Sequence, residues 1–147
     1  MTRMAVLAIS FALGMFAGFD SDLSTVLAET NLEKRSRLAL ENANRALDEA
    51  RTAYESGEFQ RSGALLTEVK ESAELAETSL NKTGKNPRKN PKWFKKAEIE
   101  TRKLVKKLDA FRNDMSVADH AQLDQVKLRV QKIHDDLLVG LMEGRAK

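Results

Sequence analysis

From Thr30 onward, apolar residues return every three or four positions, and each such run stops at a helix-breaking signal. The first run is Leu32, Ala39, Leu40, Ala43, Ala46, Leu47, Ala50, Ala53 and Tyr54. That spacing lays the set on one face of a helix, and its many alanines let a neighbouring helix approach closely. Thr30 with Glu33 three residues later predicts a capping box at the start. Ser56-Gly57 predicts the end, because glycine suits the left-handed backbone of a C-terminal cap.

A second run follows almost at once: Phe59, Leu66, Val69, Ala73, Ala76 and Leu80, with Ser62 in register. So short a connection makes the two helices antiparallel. Residues 81–90 are polar and contain Gly84 and Pro87, which reads as a loop. Asn90-Pro91 then predicts a third helix, with asparagine at the N-cap and proline at the first helical position. Its inner face is Phe94, Ala97, Leu104, Leu108, Phe111 and Met115, with Thr101 in register. Asn113-Asp114-Met115 breaks that pattern, and Ser116 with Asp119 gives a further capping signal. The fourth stripe, Leu123, Val126, Val130, Ile133, Leu137 and Leu141, is the most hydrophobic, and Gly144 stops it.

Four helices of roughly 24–27 residues are about 36–40 Å long at 1.5 Å per residue. Equal lengths and modest loops predict an all-α fold, an up-down-up-down four-helix bundle. Two separate helical hairpins, or a dimer built from them, are the alternative. Tyr54-Glu55-Ser56-Gly57-Glu58-Phe59, with Leu66 beyond it, resembles the turn of a tetratricopeptide repeat. The flanking helices are about twice as long as that repeat's, Glu49 falls where the repeat wants an apolar residue, and no second copy follows. The second half of the chain is similar to uncharacterised bacterial exported helical proteins, with no motif that names a family.

The N-terminus has a different pattern. Arg3 precedes an uncharged sixteen-residue stretch, Met4 to Phe19, that Asp20 ends. This matches the apolar region of a secretory signal and falls short of the roughly 20 residues a membrane-spanning helix needs. Val26-Leu27-Ala28 offers compact residues before a cut at Glu29. Residues 1–28 are therefore expected to be a signal peptide, with an uncleaved anchor as the alternative, and residues 29–147 a helical bundle. The expected location is periplasmic or extracellular.

Composition narrows the design. The chain has no cysteine, which removes disulfides, thiol catalysis and zinc ribbons together. An exported domain of this kind is held by packing alone. Two prolines, seven glycines and 32% charged residues favour long helices over sheet.

Charge is placed unevenly. Residues 29–81 carry eleven acids and seven bases, a net of −4. Residues 82–112 carry twelve bases and three acids, a net of +9, and residues 113–147 a net of −1 from five bases and six acids. Lys82, Lys85, Arg88, Lys89, Lys92, Lys95 and Lys96 occur with no acid between Glu77 and Glu98, and Trp93 sits among them. Lys92, Lys95 and Lys96 stand at the positive end of their helix dipole, where acids are favoured. A local rule broken without evident compensation points to function. An anion held at the helix start would resolve the conflict, and Trp93 could stack on a base or sugar or dip into a headgroup layer. The competing reading is a solvated loop whose field Glu29 and Glu33 offset at the same end of the bundle.

Other chemistry is poorly represented. His120 and His134 are fourteen residues apart, about 21 Å along one helix, too far to share a metal. His134 and Asp135 would need further ligands from elsewhere. No di-iron, zinc-protease, P-loop or serine-hydrolase motif occurs, so no cofactor and no enzymatic activity are expected. Asn81-Lys82-Thr83 fits a glycosylation sequon. Glu68, Glu71, Glu74 and Glu77 read as a solvent face able to pair with the basic helix. The expected function is scaffolding or protein interaction in the cell envelope. The alternative is binding of anionic lipid, envelope polymer or nucleic acid through the basic loop. A second copy of the chain is a further candidate partner.

Overall fold

The computed structural model describes residues 23–144, and among them the chain is helical with no strand. A short helix, α1 (Leu23–Leu27), precedes four long ones: α2 (Leu32–Glu55), α3 (Phe59–Lys82), α4 (Pro91–Asp114) and α5 (His120–Glu143). Each long helix has 24 residues, about 36 Å of axis. They alternate in direction and form the expected four-helix bundle. No described helix is long and apolar enough to cross a membrane.

The order around the bundle is α2, α3, α5, α4. Helix α2 packs on α3 and α4, and α5 packs on the same two, which leaves α2 and α5 on one diagonal. The α3–α4 connection therefore crosses the bundle, and α2 runs parallel to α4 as α3 does to α5. Polar contacts fix these registers. Lys107 reaches Asp48 at 2.6 Å and Asn44 at 2.7 Å, and Arg51 pairs with Asp114. Arg129 meets Glu74 at 3.0 Å, and Gln122 donates to the Gly63 carbonyl at 2.8 Å. Arg112 makes a two-pronged contact with Asp124 across the α4–α5 hairpin.

The predicted stripes form the core. Ala39, Ala43, Ala46 and Ala50 of α2 are buried against α3, whose Ala73 and Ala76 are buried too. Leu104, Leu108 and Phe111 meet Leu123, Val130 and Ile133 in the same cluster. Phe59 departs from its stripe. It is 60% exposed and rests edge-on against Tyr54, with ring centres 5.1 Å apart.

Helix ends follow local rules with two corrections. Gly57 has φ +79°, Glu58 N–H bonds the Ala53 carbonyl and Gly57 N–H bonds that of Tyr54, a complete Schellman cap. The cap of α2 is Asn31 instead of Thr30: its side chain accepts from Lys34 N–H at 2.9 Å. Adjacent residues compete for that role, and the capping box does not form. Ser116 makes no side-chain cap either; Val117–Asp119 is a 3-10 turn, and Asp119 accepts from the Tyr54 hydroxyl at 2.7 Å.

The acids of α3 also depart from expectation. Glu68 is buried (7% exposed) with Oε2 4.0 Å from Arg45, and Glu74 pairs with Arg129. They face α2 and α5, because the diagonal arrangement keeps α3 away from basic α4. The expected leader divides in two. Residues 1–22 lie outside the described residues, whereas Leu23–Leu27 forms α1 on α2, with Val26 7% exposed in the core cluster.

Candidate anion-binding end of the bundle

The alternation of directions brings the loop between α3 and α4 to the same end as the start of α2. Lys85 spans that gap, with Nζ 2.6 Å from Glu33. The loop is built. Thr83 hydroxyl donates to the Leu80 carbonyl, and Gly84 turns the chain at φ +67°. Asn86 Oδ1 then accepts from Arg88 and Lys89 N–H, while Pro87 is buried beneath. The end of α5 closes on the loop at Gly144: a Cβ there would lie 3.1 Å from the Asn86 amide, and φ is +85°.

Two helix starts (α2, α4) and two helix ends (α3, α5) meet at this end, so their dipoles largely offset. The field comes from side chains. Lys34 pairs with Glu29 at 3.2 Å, and the Asn31 N–H together with Lys34 holds the Glu29 carboxyl below its usual range. Lys85 takes Glu33. The other predicted residues, Lys82, Arg88, Lys89, Lys92, Lys95 and Lys96, are exposed and make no ion pair among the described residues. Further along α4 the bases behave differently: Arg102, Lys103, Lys107 and Arg112 each have an acidic partner, and only Lys106 has none among the described residues. Unpaired charge is thus concentrated where α4 begins. No acid occupies its first turn, and the Asn90 side chain makes no cap bond.

Trp93 is half-buried and packs on the core. Lys92 Nζ lies 5.0 Å and Lys96 Nζ 5.7 Å from its ring centre, within cation–π range. The ring also lines a cleft of about 150 Å³ between the starts of α2 and α4, with Glu33, Ser36, Arg37, Leu40, Glu41, Lys96, Ala97 and Glu100. The α2 wall was not foreseen from sequence. Ser36 stands four residues from both Leu32 and Leu40, a polar residue within an apolar stripe, and that was the available signal.

The histidines are separate from this end. His120 Nε2 is 3.2 Å from the Met115 carbonyl. His134 Nε2 is 3.0 Å from Glu98, and its Nδ1 3.3 Å from Asp135. The two carboxylates face opposite ring nitrogens and share no common point. Among the described residues, no group of three or more His, Asp or Glu could hold a metal. No family model, curated protein or solved structure matches this chain.

Proposed function

We propose that this chain is a non-enzymatic binding module of the cell envelope, exported by its N-terminal segment. Its scaffolding role is to hold an anionic partner at the basic end of the bundle. The observation that carries this reading is the contrast in pairing: six cations without acidic partners among the described residues crowd one end, while four of the five bases further along α4 are matched. Coulomb attraction at such a surface is long-ranged at low salt and fades within about 8–10 Å at physiological ionic strength. A pull-down from envelope extract at low and high salt tests it. Partners released by salt, and lost when Lys89, Lys92, Lys95 and Lys96 become Gln, support the reading.

A second reading has its own observation. Leu128, Leu138 and Met142 are exposed on α5, and large apolar side chains so placed suit a protein partner. Partners that resist salt and survive the lysine changes favour that face.

A further inference from the structure

We propose that the cleft between the starts of α2 and α4 holds one sugar ring, which makes the partner of the basic end an acidic glycan. The proposal rests on the reading of that end as anion-binding and names the ligand class. A cleft of about 150 Å³ is well below the roughly 300 Å³ of a drug-sized pocket, so it takes a single ring. Leu40, Ala97 and Trp93 give it apolar walls, against which the C–H face of a pyranose packs.

The rim is mixed in charge: Glu33, Glu41 and Glu100 alternate with Arg37 and Lys96, a net of −1. A bare phosphate or sulfate is disfavoured inside such a rim, whereas a uronate ring can turn its one carboxylate outwards to Lys96 and leave its hydroxyls within. Sugar hydroxyls suit it, because they donate to the carboxylates and accept from the cations. Ser36 carries the sharper signal. It is 3% exposed and lines the cleft, and its hydroxyl makes no hydrogen bond to another described residue. The one buried side-chain atom without a partner among the described residues is Glu68 Oε1, so the Ser36 oxygen is not sealed in but opens to the cleft, where a ligand hydroxyl can bond it. Lys92 and Lys96, both over the Trp93 ring, connect the cleft to the basic loop, where carboxylates or phosphates of flanking sugars are neutralised. A headgroup or polyphosphate uses the lysines and leaves the cleft unused.

Trp93 is the only tryptophan, so its emission reports directly on the cleft. The test is titration of the protein at low salt with tetragalacturonate and, separately, with tripolyphosphate, a sugar-free anion of similar charge. The expected result is that tetragalacturonate binds about tenfold tighter and shifts the emission, and that Ser36→Ala erases most of that preference while leaving tripolyphosphate unchanged. Equal affinities, with Ser36→Ala affecting neither ligand, overturn the glycan assignment and leave the basic end standing as an anion site. Absence of binding by both ligands overturns the anion-binding reading and the glycan assignment with it.

Discussion

The two ends of this bundle are built from the same materials and arranged in opposite ways. At the end where α2 turns into α3 and α4 into α5, charges and hydroxyls face inward to one another. Tyr54 donates to Asp119, accepts from Ser116 N–H and meets Phe59 and Phe111 edge-on. The Asp119 carboxylate beside it pushes the Tyr54 hydroxyl above its usual pKa. Arg51 pairs with Asp114 and Glu55, and Arg61 with Glu58. At the other end the backbone is equally well fastened through Asn86, Gly84 and Gly144, yet six cations have no acidic partner among the described residues. Order without neutralisation is the contrast on which the proposed anion-binding role rests.

Substitutions at the two ends should therefore fail in different ways. Phe111→Ala, in the core under Tyr54, should lower stability by about 3–5 kcal/mol, read by denaturant unfolding. Its retention on a phosphocellulose column, measured where the variant is still folded, should be unchanged. Changing Lys89, Lys92, Lys95 and Lys96 to Gln should do the reverse. At about 1 kcal/mol per cation near an anionic surface, close to 4 kcal/mol of binding is lost, and the salt dependence of retention falls by about three. Stability should stay level or rise slightly, because mutually repelling cations are removed from one end of the bundle. Arg51→Gln at the far end should leave retention untouched.

The support beneath the basic end gives smaller effects. Val26 buries α1 against α2, so a chain beginning at Glu29 should be about 1–2 kcal/mol less stable than one beginning at Leu23, by thermal or urea unfolding. The smallest effect concerns Glu77. Burial pushes its carboxyl up, and nearby Asp136 adds to this against Arg129 and Lys132. Its ionised form is therefore favoured less in the folded chain than in the unfolded one. The resulting destabilisation is fully present above the raised folded pKa and disappears as pH falls towards the ordinary carboxylate range. Glu77→Gln should raise Tm by about 1–2 °C at pH 7, and the difference from wild type should vanish near pH 4. Asp124 works in the opposite sense: Arg112 holds its carboxyl low, so its contribution is lost only at more acid pH.

Much of this was legible from residue spacing. The stripes, the equal lengths, the Gly57 and Gly144 stops and the Asn90-Pro91 start all depend on neighbours within a turn or two, which is where sequence patterns are strongest. Alternating direction then placed the basic loop beside Glu33. The neighbour order was not legible. Eight residues join α3 to α4 and reach at most about 26–29 Å. Adjacent helices sit about 8–10 Å apart, so such a loop serves a neighbour or a diagonal equally well. That choice decided that Glu74 meets Arg129 instead of α4, and that α2 supplies one wall of the cleft. Capping at Asn31 instead of Thr30 was undetermined for a local reason: both residue types can cap, and they are adjacent.

The most direct test of the difference between the ends is an amide chemical-shift map of the labelled protein titrated with tetragalacturonate at low salt. Perturbations should concentrate at Lys82–Lys96 and Glu33–Leu40, and fade as salt is raised. Perturbations gathered instead at Tyr54–Gly63 and Met115–Gln122, or none at either end, would contradict the account.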